Sequence, residues 1–437
     1  MKTRLQSWLE GLGDIFWLRP AAVVLAGVLL GEGAVWAEHI GLTGTLTATG
    51  WIYAGGESGA RALLGAVASS TISVAGTVFS ITIAALSLAS GQMGPRLLRN
   101  FTRDAGNQYA LGIFLGTFAY ALVLLRTVRS FEETPFVPHL GVTGALGLAL
   151  VCVGTLVWFV HHVANGINVE TVIGLVHAEL LEAVRSLDDK RSDEPQAASH
   201  KAVVELGVGA RVCYGRSGYL RSLDDAFLAD WAAENRVQLR MRVRPGAYLY
   251  PGAVVADLVD DEGNAGKADT KCSNAEEAFA EAAVIGERQA AAQDLEFAVR
   301  QLVEVGVRAM SPGVNDPFTA IAVMERLGAS LCAVASKQFP DAVVERDGRP
   351  VLVRQVTDYE GLCDASFHMI RQNSASSAAV LIRLVETIRR VEEIESDPIR
   401  VAVLRRHVRL ALELGRKEVV DADGLADLEA RAASMSR

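Results

Sequence analysis

The sequence predicts an α-helical membrane protein with four transmembrane helices and a cytoplasmic α+β region, a small β-module followed by a helical bundle. Three observations carry this reading. The chain of 437 residues is 50% hydrophobic. Four apolar runs lie before Val160, each near the roughly 20 residues that cross about 30 Å of hydrocarbon. After Val160 the apolar residues cease to run together and recur with the periods of strands and then of helices.

The candidate spans are residues 20–37, 62–90, 109–125 and 140–160. Orientation follows from Lys and Arg in short loops. Lys2, Arg4 and Arg19 precede the first span, and Arg96, Arg99 and Arg103 separate the second from the third. The opposite loops hold Arg61, Arg126 and Arg129, offset by Glu57, Glu132 and Glu133. This bias keeps the N terminus in the cytoplasm, and four crossings return the C terminus to the same side. Residues 34–39, AVWAEH, resemble a cleavage site, but Glu10, Asp14 and Glu32 in a long leader suit a cleaved signal poorly. Five cysteines without CxxC spacing fit a reducing compartment. A net charge of −9, with no basic and aromatic platform, excludes nucleic acid as the main partner.

The second span contains SSTISVAGTVFSITIAALSLASG, residues 69–91. Written as a heptad, one seam position holds Ser70, Thr77, Ala84 and Gly91, and the other holds Ala66, Ser73, Ser80 and Ser87. Bulky ridges flank them: Ile72, Phe79 and Leu86 on one side, Val74, Ile81 and Leu88 on the other. Small polar residues at membrane depth face a packed neighbour or water rather than lipid. If copies of this helix ring an axis, Ser70, Ser73, Thr77, Ser80, Ala84 and Ser87 line an ion path. In that arrangement Arg96 and Arg99 surround its inner mouth and favour anions, while Glu32 at the outer side pulls the other way. The chain then reads as an oligomeric, channel-like protein passing small ions under a regulatory cytoplasmic domain. The alternative is a non-conducting scaffold or sensor whose seam is helix packing alone. The partners implied are the lipid bilayer, further copies of the chain and small ions.

The run TVFSITIAALSLASGQMGPRLLRNFTRDAGNQYALGIFLGTFAYALVLLR resembles the signature of a bacterial family of predicted inner-membrane proteins, domain of unknown function 2254. SGYLRSLD, RVRPGAYLYPGAVVADL and DLEFAVRQLVEVGVRAMSPGVNDPFTAIAVMERLG match further blocks of that family in the same order. The resemblance spans about Ala62 to Leu410. It implies a multi-pass protein of the bacterial inner membrane, and no activity, substrate or catalytic residue.

The organisation expected is a membrane domain at 1–161, a connecting helix and linker at 162–200, a β-rich module at 201–262 and a helical domain at 263–437. Ile173, Val176, Leu180 and Val184 share one face of the connecting helix, and residues 190–200 read as a linker. A short helix is expected over residues 224–235. Residues 243–258 read as a β-hairpin with turn glycines Gly246 and Gly252, resembling half of a lipoyl-type barrel but lacking the carrier lysine, so no covalent cofactor is expected. In AMSPGVNDPFTA, Asp316 before Pro317 has the form of a helix N-cap; alternatively Asn315 and Asp316 hold a ligand at the turn. HExxH, GxSxG, P-loop and Rossmann glycine motifs are absent, so no catalytic residues are assigned. His161 and His162 diverge by about 100° on a helix and cannot easily share a metal ion. His177, His368 and His407 stand as isolated helix residues, and no metal is assigned.

Overall fold

The structure is a computed structural model describing residues 16–40, 53–93, 104–128, 136–166, 168–189, 209–260, 271–287, 289 and 295–433. The chain divides into two compact units, Met1–Val172 and Ile173–Arg437.

The first unit contains α1 (Leu18–His39), α2 (Glu57–Met93), α3 (Ala105–Thr127) and α4 (His139–Gly166). All four are long and apolar enough to cross a membrane. α3 is their hub and packs on α1, α2 and α4. Small residues explain the closeness of α1 and α3. Gly27 on α1 meets Gly116 of α3, Gly31 meets Val123, and Gly112 of α3 meets Pro20 and Val23; a Cβ added at Gly27 would collide with the Gly116 backbone. Lipid tails are as apolar as leucine, so such van der Waals contact is what favours one helix partner over another. α4 is tied to the hub by Tyr120, whose hydroxyl donates to the Gly141 carbonyl at 2.9 Å. Leu25, Leu29 and Leu30 on α1, and Leu150, Val153 and Val157 on α4, face outward.

α2 has 37 residues. At 1.5 Å per residue it is about 55 Å long, well beyond the roughly 30 Å of a hydrocarbon core.

α5 (Val169–Arg185), most of it in the second unit, buries the predicted face of Ile173, Val176, Leu180 and Val184. Next come β1 (Ala210–Tyr214), β2 (Gly218–Leu223), α6 (Asp225–Glu234), β3 (Val237–Met241), β4 (Tyr248–Leu249) and β5 (Ala253–Asp260). α6 starts where expected, with Asp224 accepting from Phe227 N. α7 (Cys272–Ala282) and β6 (Ala283–Gly286) follow. The rest is α8 (Leu295–Ala309), α9 (Pro317–Val334), β7 (Val343–Arg346), β8 (Arg349–Val353), α10 (Tyr359–Asn373), α11 (Ala378–Glu392), α12 (Pro398–Glu418) and α13 (Ala422–Ala433).

The strands form two sheets, ordered β1-β5-β3-β8-β7 and β4-β2-β6. The hairpin expected over residues 243–258 is therefore corrected. Both turn glycines do adopt positive φ, 93° at Gly246 and 79° at Gly252. The strands between and after them nevertheless go to different sheets: β4 pairs with β2, whereas β5 pairs with β1 and β3. Tight backbone bonds from Gly246 N to the Leu220 carbonyl, 2.7 Å, and from Leu220 N to the Ala247 carbonyl, 2.9 Å, clamp the short β4 to β2.

Residues 263–437, expected as helical, also supply β6, β7 and β8. β7 and β8 join through Asp347 and Gly348, both at positive φ, the turn an Asp-Gly pair favours.

A fifth helix, α9, also meets the length and apolarity of a span. It lies in the second unit, packed on α8 and α11, with Val323, Met324, Leu327 and Leu331 buried. Its N terminus is the predicted cap. Asp316 accepts from Phe318 N and Thr319 N at 3.1 Å each and from the Thr319 hydroxyl at 2.6 Å. The Thr319 hydroxyl first, and these amides, hold the Asp316 carboxyl below the usual carboxylate range despite its partial burial. Asp316→Ala is expected to cost about 1 kcal/mol of stability, read from urea denaturation, and the loss shrinks as pH falls and the wild-type carboxylate protonates.

Candidate functional site

The second membrane-unit helix has two unlike faces. Ala60, Leu64, Val67, Ala68, Thr71, Ala75, Val78, Thr82 and Ala85 are buried inside the unit. The predicted stripe lies on the other side: Ser70, Ser73, Thr77, Ser80, Ala84 and Ser87 are all exposed. Within one chain the stripe is therefore not the seam that packs α2 against α3 and α4. Of the predicted ridges, Ile72, Phe79 and Ile81 are exposed, at 40%, 48% and 39%, Val74 and Leu86 are half-buried, and the Leu88 side chain lies outside the description. Gly65 and Gly76, on the same helix, have open space where a Cβ would stand.

The hydroxyls are bonded along their own helix. Ser73 donates to the Ser69 carbonyl at 2.8 Å, Thr77 to Ser73 at 3.2 Å and Ser80 to Gly76 at 2.9 Å. Ser70 donates one residue nearer, to Val67 at 3.1 Å. Each donor is thus satisfied, and each hydroxyl oxygen keeps lone pairs that can accept a further bond or face a cation. Thr71 and Thr82, outside the predicted set, point inward and bond the Val67 and Val78 carbonyls.

Glu32 does not stand alone. It forms an ion pair with Arg126 of α3, so the outward pull expected of it is offset by a neighbouring cation. Arg96 and Arg99 lie outside the described residues. At one end of the unit Asp104 caps α3 through Gly106 N, 2.7 Å, and meets His162 Nε2 at 2.6 Å. His161 instead faces Asn165, 2.9 Å away, so the adjacent histidines have different partners, as their helical spacing requires.

In the second unit, the Asn315–Asp316 turn spends its carboxylate on the α9 cap described above, and Asn315 is exposed at a φ of 48°. A cleft of about 310 Å³ is lined in part by Val243, Arg244, Arg354, Gln355 and Thr357. Its arginines are balanced: Arg244 pairs with Glu296 at 2.7 Å and Arg354 with Asp225 at 2.5 Å.

The fold also assembles a cluster that sequence reading left as separate residues. Asp364 and His368 sit one turn apart on α10, and His407 reaches them from α12. Both histidines bring Nε2 to Asp364 Oδ1, His368 at 3.0 Å and His407 at 3.1 Å. Burial pushes the His407 imidazole down to about 4, the opposing pull of Asp364 being the smaller effect. His407 is thus neutral near pH 7. The local signal was the Asp-x-x-x-His spacing in CDASFHM; the distant third member needed the α10–α12 packing. His177 stays apart from this cluster, its imidazole pushed down by burial and by Arg326.

The family described as "Predicted membrane protein (DUF2254)" matches residues 14–390. Uncharacterized proteins from Mycobacterium tuberculosis, strains CDC 1551 and H37Rv, and from Mycobacterium bovis are 30% identical over 429 residues, 96% of this chain and 80% of theirs. No solved structure matches the chain. With the match running from the first helix through α11, the chain belongs to this family of predicted membrane proteins.

Proposed function

We propose that the protein is an oligomeric, channel-like protein of the bacterial inner membrane, in which the exposed stripe of α2 lines a path for small ions. The single observation carrying this reading is the division of α2: one face is buried within the chain, while the small-polar stripe, with Ile72, Phe79 and Ile81 beside it, is left facing outward. A second copy can approach closely along such a stripe, and Gly65 and Gly76 leave it room. The exposed ridges then wedge against neighbouring copies, and the hydroxyl oxygens offer weak, repeated contacts that suit throughput.

In this reading α1–α4 cross the membrane, both termini are cytoplasmic, and α9 remains in the cytoplasmic unit. Support for the last point is the Glu325–Arg383 ion pair at 2.6 Å on α9, together with its packing between α8 and α11. The cleft beside Arg244 and Arg354 is the candidate seat of a regulatory ligand.

The scaffold reading has an observation of its own. Each bonded hydroxyl is already satisfied by its helix and needs no water, so copies could pack along a dry seam. Both readings place copies of α2 against one another, and cysteine cross-linking tests that shared premise. Single cysteines at Ser73, Thr77 or Ser80 are expected to form disulfide-linked dimers in membranes, whereas one at Val78, on the buried face, is not. Equal cross-linking at both faces would remove the stripe as a contact surface.

A further inference from the structure

We propose that Asp364, His368 and His407 bind a divalent transition-metal ion, in a two-histidine, one-carboxylate site that bridges α10 and α12. The geometry is that of a ligand set. Helical spacing of four residues puts Asp364 and His368 on one face of α10, and packing of α12 brings His407 against them. The donor atoms all lie within 4.8 Å of one another. The two carboxylate–imidazole separations, 3.0 and 3.1 Å, are those required around one ion. Donors about 2.0–2.1 Å from a shared ion stand about 2.8–3.4 Å apart, from octahedral to tetrahedral arrangements.

An independent observation concerns His407. It is fully buried, yet neither of its ring nitrogens makes a hydrogen bond of good geometry, although Asp364 Oδ1 is near. Buried polar atoms in folded proteins nearly always have a partner. An ion between the three side chains supplies one for Nε2, whose lone pair a carboxylate, itself an acceptor, cannot satisfy. Asp364 and His368 are each about one-third exposed, so the ion has a route in and keeps coordination positions open to water.

Arg406 holds the same Asp364 Oδ1 and must give it up to the ion; its pairing with Glu360 at 3.0 Å leaves it a carboxylate partner when it does. Arg371 lies 3.5 Å from His368 Nδ1, a long contact that loosens once Nε2 ligates the ion and Nδ1 carries the proton. Two imidazoles favour zinc, cobalt or nickel over magnesium and calcium, which prefer oxygen ligands. The ion would fasten α12 to α10 in the unit that carries the cleft.

The test uses the full chain in detergent, without a histidine tag and stripped by a chelator. Zinc and cobalt are titrated by calorimetry and, for cobalt, by visible absorption; magnesium is the control. One zinc ion per chain is expected, with no response to magnesium. Asp364→Asn and His368→Ala, both at partly exposed positions, are expected to stay folded by circular dichroism and to weaken zinc binding by about 100-fold or more. His407→Ala risks the core, so the two exposed-side variants carry the decision. Absence of zinc binding by the folded wild type, or equal binding by folded His368→Ala, would overturn the proposal.

Discussion

Gly27→Leu is expected to prevent normal assembly of the first unit. Gly27 and Gly116 bring the α1 and α3 backbones into contact, and a Cβ at Gly27 meets the Gly116 carbonyl, which cannot rotate away as a side chain can. Even Gly27→Ala must separate the helices, at an expected cost of about 1–3 kcal/mol for overpacking, and leucine exceeds this. Gly33, on the same helix, has open space around its would-be Cβ. Gly33→Ala should therefore be neutral, or stabilising by up to about 1 kcal/mol through helix propensity. Thermal aggregation in detergent separates these cases: a large fall for the Gly27 variants, and no fall for Gly33→Ala. Equal behaviour at the two positions would deny the α1–α3 contact.

The second large effect lies at Arg400. This arginine is 3% exposed and faces Glu395, itself 6% exposed, at 3.5 Å. It also donates to the Lys337 carbonyl at 3.0 Å and lies over the rings of Phe339 and Tyr359. Removing Arg400 takes away the cation that faces the buried Glu395, whereas Arg400 itself also has Asp397 at 3.9 Å. Arg400→Ala is expected to destabilise the second unit by about 3–5 kcal/mol, whereas Arg400→Met combined with Glu395→Leu regains most of that loss. Urea denaturation followed by circular dichroism gives both values. A double variant as unstable as Arg400→Ala would mean that the packing, not the stranded charge, sets the cost.

Much of this architecture was legible because it is local. Four apolar runs became α1–α4, the hydroxyl period along α2 became one continuous face, and Asp316-Pro317 became a cap with its predicted bonds. Gly246 and Gly252 likewise took the positive φ that marked them as turn residues. What escaped depends on pairing between distant segments. A two-residue β4 chooses β2 over β5 through backbone bonds that no side-chain pattern encodes. The Asp347-Gly348 turn did carry a hairpin signal, but β7 and β8 are short and sit between long helical patterns. The length and apolarity of α9 match a span because a helix enclosed by other helices needs the same residues as one enclosed by lipid. At the candidate sites, spacing alone could align Asp364 with His368. Bringing His407 to them required knowing how α12 packs.

The proposed conduction along the α2 stripe is tested by ion flux into proteoliposomes of the pure protein, measured for cations and anions over a range of pH and membrane tension. Wild type is expected to conduct, and Thr77→Leu and Ser80→Leu, still assembled as judged by cross-linking, are expected to lower flux by about tenfold or more, since bulky apolar side chains dewet a narrow path. No flux for any ion tested, or flux unchanged by both leucines, would contradict the claim and leave α2 as a packing surface.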